Sequence, residues 1–114
     1  MVENLDQELS TEIQAKLDAA KAAHGEAFIL QSDDQRATVI VRRPKRGEYQ
    51  RYQSERFNDA KKTRALERLF LSCLVWPLPS EFDAVLEQMP ALGDTFGLGV
   101  CEIAGGGGYT VKKA

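Results

Sequence analysis

The chain has 114 residues, of which 43% are hydrophobic and 28% charged, and its formal net charge at pH 7 is −2. That length suits one domain with one modest core. The composition excludes intrinsic disorder, and the longest apolar run is too short to span a bilayer.

The small net charge hides a strong asymmetry. Residues 1–35 carry two Lys and eight Asp or Glu, for a balance of −6. Residues 36–68 carry eleven Lys or Arg against four acids, for +7, and residues 69–114 return to −3. A basic block of this kind attracts nucleic acid or an acidic protein surface. Because the molecule as a whole is acidic, pairing of the block with the chain's own acidic end, in one subunit or between two, is the stronger expectation.

The first ten residues are acidic and lack the apolar stretch of a secretory signal, so the expected compartment is the cytoplasm. Leu5, Leu9, Ile13, Leu17 and Ala20 recur every third or fourth residue, which predicts an amphipathic helix with a narrow apolar stripe. His24-Gly25 closes it, with Gly in the left-handed position past the last turn. Ala27 to Gln31 and Arg36 to Arg43 read as strands, the second rich in β-branched residues. Ser32 to Gln35 supplies turn chemistry between them, so the pair predicts a hairpin. Two strands alone are marginal in water, so the hairpin must lie on helices or pair its edges with other copies.

Pro44 ends the second strand. A helix is predicted from about Arg46 to Asp59, with Tyr49, Tyr52, Phe57 and Ala60 as its apolar positions. Another is predicted from about Lys61 to Trp76. After Arg68 only Ser72 interrupts the apolar run up to Trp76, so this segment has to be enclosed. Leu69, Phe70, Leu74, Val75 and Trp76 are its expected core. Pro77-Leu78-Pro79 stops it. Ser80 is expected to start the next helix, with Asp83 as a weak capping box. Phe82, Val85, Leu86 and Met89 form a one-face pattern along it. Pro90 is expected to open the last helix, which runs to about Ala104 on a stripe of Leu92, Phe96, Val100 and Ile103. Gly93, Gly97 and Gly99 weaken that helix but allow close approach of another backbone. Gly105 to Gly108 reads as a flexible linker into a loose tail.

The division expected is therefore an N-terminal helix over residues 1–25, a hairpin plus helical core over 26–104, and a Gly-rich tail over 105–114. The fold class is α+β and mostly helical: one helix, one hairpin, then three to four packed helices.

Candidate chemistry is sparse. His24 is the only histidine, and no cluster of His, Cys and acid has metal-ligand spacing. Cys73 and Cys101 form no CxxC pair and read as buried thiols acting as small hydrophobes. The glycine run lacks the flanking elements and the Lys of a phosphate loop. Neither a catalytic residue, a metal nor a cofactor is expected. Arg42, Arg43, Lys45, Arg46 and Arg51, interleaved with Tyr49 and Tyr52, form the one plausible nucleic-acid patch, though no recognised nucleic-acid motif accompanies them.

The order of parts is more informative. An acidic helix precedes a hairpin, and Val41-Arg42-Arg43-Pro44 leads into Gly47-Glu48-Tyr49-Gln50-Arg51-Tyr52. Then come Ala65-Leu66-Glu67-Arg68-Leu69, Cys73-Leu74-Val75-Trp76-Pro77, Ser80-Glu81-Phe82-Asp83 and Pro90-Ala91-Leu92, closing on Ile103-Ala104-Gly105. This pattern, over about Phe28 to Gly105, resembles the small tail assembly chaperones of long-tailed bacteriophages and prophages. One departure is Lys45, where a Ser, Thr or Asp cap is expected. The resemblance implies a non-enzymatic factor that binds the tape measure protein during tail morphogenesis. It works beside the tail tube protein in the host cytoplasm and is absent from the mature virion. It implies a homo-oligomer, and neither nucleic acid nor membrane as partner. Phe82, Leu86, Met89, Leu92 and Phe96 are candidates for the client surface, with core as their alternative role. Leu5, Leu9, Ile13 and Leu17 are candidates for self-association. The competing reading is a small nucleic-acid-binding or regulatory protein using residues 42–68.

Overall fold

The computed structural model describes residues 11–105 and 110–113. The element order is helix α1 (Thr11–His24), strands β1 (Phe28–Gln31) and β2 (Thr38–Val41), helix α2 (Arg46–Glu55) and a short 3-10 turn (Lys62–Arg64). Helix α3 (Ala65–Cys73), strand β3 (Leu74–Trp76) and helices α4 (Pro79–Gln88) and α5 (Leu92–Ile103) follow. The three strands form one antiparallel sheet in the order β1-β2-β3. This is the expected mostly helical α+β class, with a third strand in addition to the hairpin.

The sheet is covered on both faces, and the sequence of β2 shows why. Val39, Ile40 and Val41 are all fully buried, so the strand is a continuous β-branched run instead of an alternating one. Val39 and Val41 enter the large core built with α2 to α5. Ile40 points the other way, against Leu17 and Ala20 of α1. The narrow stripe on α1 is therefore matched to one face of a three-stranded sheet. Gly25 ends α1 with φ +82°, and its N–H donates to the Lys21 carbonyl at 2.8 Å. Leu5 and Leu9 lie outside the described residues, as do Gly106, Gly107 and Gly108 of the tail.

The predicted helix from Lys61 to Trp76 needs correction. It ends at Cys73, and Leu74–Trp76 pairs with β2. The physical cause is local. Val75 is β-branched, Trp76 is aromatic, and a residue before proline is pushed out of the α region. Val41 opposes Leu74 while Ile40 opposes Trp76, so β3 carries one extra residue. This bulge turns both Val75 and Trp76 toward α1, while Leu74 stays in the main core. The enclosure expected of Leu69, Phe70, Cys73 and Leu74 is observed, whereas Val75 and Trp76 are only half-buried.

α3 and α5 pack closest at two of the predicted glycines. A Cβ on Gly97 would lie 2.5 Å from the Leu66 carbonyl oxygen, and one on Gly93 would lie 2.9 Å from the Glu67 side chain. Phe70, Phe82 and Phe96 meet between α3, α4 and α5, with ring centroids 5.3, 5.4 and 6.2 Å apart. Tilted and edge-on rings at such distances add to the area they bury.

Other helix boundaries differ from expectation as well: α3 begins at Ala65, behind the 3-10 turn, and not at Lys61. α2 stops at Glu55, so Phe57 is 76% exposed and Ala60 is exposed too. α4 begins at Pro79, not Ser80, and it is Glu81, not Asp83, that accepts from the Leu78 N–H at 3.1 Å. Proline suits that first helical position because its missing donor would have been unpaired there. α5 begins at Leu92, leaving Pro90 in the preceding turn.

Candidate functional site

The α2 region shows how the basic block is used. Lys45 precedes the helix without an acceptor to offer, so only the reverse half of a capping box forms: Glu48 Oε1 accepts from the Lys45 N–H at 2.8 Å. The same carboxylate takes a two-pronged bond from Arg42, at 2.8 and 2.6 Å. The Arg42 guanidinium, helped by the Lys45 N–H, holds the Glu48 carboxyl at about 2, well below its ordinary value of 4.5. Arg42 also donates to the Ser72 carbonyl at 2.8 Å, which ties β2 to the end of α3.

Four further cations have internal work. Arg43 donates to Glu26 at 2.7 Å and to the Ile103 carbonyl, and it stacks over Phe28. Arg51 donates to Ser72 Oγ at 2.5 Å. Arg68 lies 3.2 Å from the buried carboxylate of Glu55. Arg64 pairs with Glu67 at 2.5 Å. Glu55 is the buried acid of the molecule's described part, and its Oε1 has no hydrogen-bond partner there. It falls three residues after Tyr52 on the inward face of α2, a spacing that marks a carboxylate on the buried stripe.

Of the five residues in the predicted nucleic-acid patch, Arg42, Arg43 and Arg51 are thus committed to neighbours within the chain. Arg46 makes no side-chain hydrogen bond or ion pair among the described residues, and the Lys45 charge acts on the Glu48 carboxylate. Lys45 and Arg46 line a groove of about 460 Å³ with Arg43, Tyr49, Gln50 and Gln53, and no carboxylate is among its lining residues. Two cations at a helix N-terminus are on the unfavourable end of the backbone dipole.

A second groove, of about 580 Å³, runs between α1 and the β3–α4 connection. Its α1 side carries Glu12, Lys16 and His24 around a patch of Ala19, Ala20 and Ala23, and the other side is formed by Val75, Trp76 and Pro77, with Glu81 beyond them. Leu78 stands at its edge, 59% exposed. Small residues on one wall leave room for a helix to approach. Sequence reasoning missed this trough because the bulge that turns Val75 and Trp76 toward α1 is invisible in a segment that reads as helix.

The five residues proposed as client surface do not form one. Phe82, Leu92 and Phe96 are core, at 1%, 9% and 3% exposure, and Leu86 and Met89 are half-buried against them. Of the self-association stripe, Leu17 is spent on Ile40, and Ile13 packs beside it. The thiols are free: Cys73 is buried and Cys101 half-buried. Burial pushes Cys73 up to about 11, so it stays a protonated thiol near neutrality. Burial also raises Cys101, against an opposing hydrogen bond with Tyr52. Among the described residues there is no group of three His, Cys, Asp or Glu able to hold a metal ion, and no helix is long and apolar enough to cross a membrane.

Residues 20–113 match the family described as Domain of unknown function (DUF6848). The chain belongs to this family. A search of curated proteins finds no match. A solved structure of an uncharacterised protein, rbstp2171, from Bacillus stearothermophilus is similar with a TM-score of 0.72 at 23% identity. The match covers 84% of this chain and 98% of that one. At that identity the likeness establishes the shared fold.

Proposed function

We propose that this DUF6848 protein is a tail assembly chaperone that binds a tape measure protein without catalysing a reaction. The observation that carries the reading is the trough beside Trp76. It is an open groove with Val75, Trp76 and Pro77 facing a patch of Ala19, Ala20 and Ala23, rimmed by Glu12, Lys16, His24 and Glu81; an apolar centre with a charged rim suits the apolar stripe of an amphipathic helix. A tape measure helix exposes such stripes before its tube is built, and they aggregate if left uncovered. The order of parts from the acidic helix to Ile103-Ala104-Gly105 supports the same reading. The competing nucleic-acid reading loses support because three of its five cations are held by partners within the chain.

The test is co-expression with the tape measure protein of the same genome. Wild-type chaperone keeps that client in the soluble fraction and co-purifies with it. Ala19→Glu and Ala23→Glu, both on exposed positions of α1, fold normally and lose the client. Capture unaffected by both substitutions, or a client that stays insoluble, overturns the proposal. Binding to DNA or RNA that weakens steeply with salt establishes the competing reading instead. Detection of the protein in purified particles makes it a structural subunit.

A further inference from the structure

We infer that α1 is a displaceable cover, and that the face of the sheet beneath it is a docking surface for an amphipathic helix of a partner. The inference rests on the reading of the trough as a helix-binding site and names how that site is regulated. Three observations converge. First, α1 is seated on the sheet through few side chains. Leu17 and Ala20 are its buried residues, with Ile13 beside them, and they meet Ile29, Ile40, Val75 and Trp76. Among the described residues no α1 side chain gives a hydrogen bond or ion pair to the sheet; Gln14 donates to Asp18 at 3.0 Å, within the helix. The polar ties begin just past α1, where Glu26 accepts from Arg43 at 2.7 Å. Second, a single glycine joins α1 to that anchored point. Gly25 has φ +82°, and a Cβ on it would meet nothing within 4 Å, so no neighbour obstructs a turn of the helix about it. Positions at the ends of elements are where hinges absorb a change in backbone angles.

Third, the cover is incomplete. Where α1 faces Val75 and Trp76 it offers Ala19, Ala20 and Ala23, and both larger side chains stay half-buried along the trough. A helix with Leu, Ile or Phe in those places removes more apolar area from water and binds this face more strongly than α1 does. That specifies the occupant: an amphipathic helix with large apolar side chains where α1 has alanine. α1 holds the face in the absence of such a partner because it is tethered beside it, at a high effective concentration. A guest in the trough meets Val75 and Trp76 first, then takes over Ile29 and Ile40 as α1 turns away. Until then the cover keeps an aggregation-prone surface out of water.

The experiment measures binding of a fluorophore-labelled synthetic peptide by anisotropy, with hydrogen exchange on the same samples. The peptide is residues 11–24 carrying Ala19→Leu and Ala23→Leu. The hosts are the full wild-type chain, a loosened variant and a tightened one. Leu17→Ala loosens the cover; Leu17 packs on Ile40 and is not among the trough's lining residues. Ala19→Leu with Ala23→Leu, made in the full chain, tightens it. Circular dichroism confirms that the hosts are folded. Apparent affinity scales with the fraction of molecules whose face is open, so Leu17→Ala binds roughly tenfold or more tightly than wild type, and the tightened variant roughly tenfold more weakly. In the complex the amides of α1 lose protection while those of α3 and α5 keep theirs. Binding with α1 still protected, or no tighter to Leu17→Ala, overturns the inference and leaves the trough as a helix site with a fixed wall. Absence of binding to every host overturns it too. Capture of the tape measure protein in co-expression decides the chaperone reading separately.

Discussion

The two faces of the sheet are held in different ways. On one face, α2 to α5 cover Val39 and Val41 with a core that includes three fully or nearly buried phenylalanines and a helix pair in backbone contact at Gly97. On the other, a single helix covers Ile40 with Leu17 and Ala20. The first face specifies the fold. The second holds a cover that is stabilised by few side chains, and the trough lies along that cover. Burial of apolar area is what separates the two, since each Leu- or Phe-sized side chain contributes about 1.5–3 kcal/mol when fully enclosed.

Substitutions can break or sharpen this contrast. The largest effect is expected from Phe70→Ala, which empties the centre of the aromatic trio and lowers stability by about 3–5 kcal/mol in urea denaturation. A loss under about 1 kcal/mol would mean that the helical face is not the stronger one. Gly97→Ala comes next, at about 3 kcal/mol, because a Cβ 2.5 Å from a carbonyl forces α3 and α5 apart. Leu17→Ala should fall lower, at about 2 kcal/mol, since the small cluster can partly collapse around the gap. Hydrogen exchange on that variant should show α1 opening while α3 and α5 stay protected. Uniform loss of protection would show that both faces unfold as one unit.

Smaller again is Glu48→Gln, at about 1.5 kcal/mol near neutral pH, from the charged bonds to Arg42. The sign of its pH dependence is fixed. The folded carboxyl is held at about 2, below its ordinary 4.5, so its contribution is present above 4.5 and fades as pH falls toward 2. Denaturation midpoints of wild type and variant should therefore converge across that window. Ala19→Glu should change stability by no more than about 0.5 kcal/mol, which is what makes it a clean probe of the trough.

Much of the helical face was legible in the sequence. Phe82, Leu92, Phe96 and Val100 follow helical spacing, and the three glycines of α5 announced a close approach. The β-branched run of β2 announced burial, and Gly25 announced the end of α1. Less of the other face was legible. Leu74-Val75-Trp76 continues the apolar pattern of α3, so periodicity alone extends the helix. The competing signals, a β-branched residue and an aromatic before proline, are weaker than a run of leucines. The same error hid the trough. Phe57 misled for a different reason: its spacing fits the stripe of α2, but the helix has already ended at Glu55, and its ring packs under Arg56 at 4.7 Å. Lys45 looked like a missing cap, and the bond from Glu48 back to its N–H shows how the helix starts without one. Composition revealed the charge asymmetry, but only coordinates could show which cations have internal partners.

The extra residue in β3 has an optical consequence. Trp76 is the chain's single tryptophan, and the bulge sets its half-buried indole at the seam between α1 and the sheet. Its emission should shift to the red when α1 lifts away and to the blue when a guest helix excludes water from the floor of the trough. The protein thus carries its own fluorescent reporter, with no label to attach and no second indole to subtract.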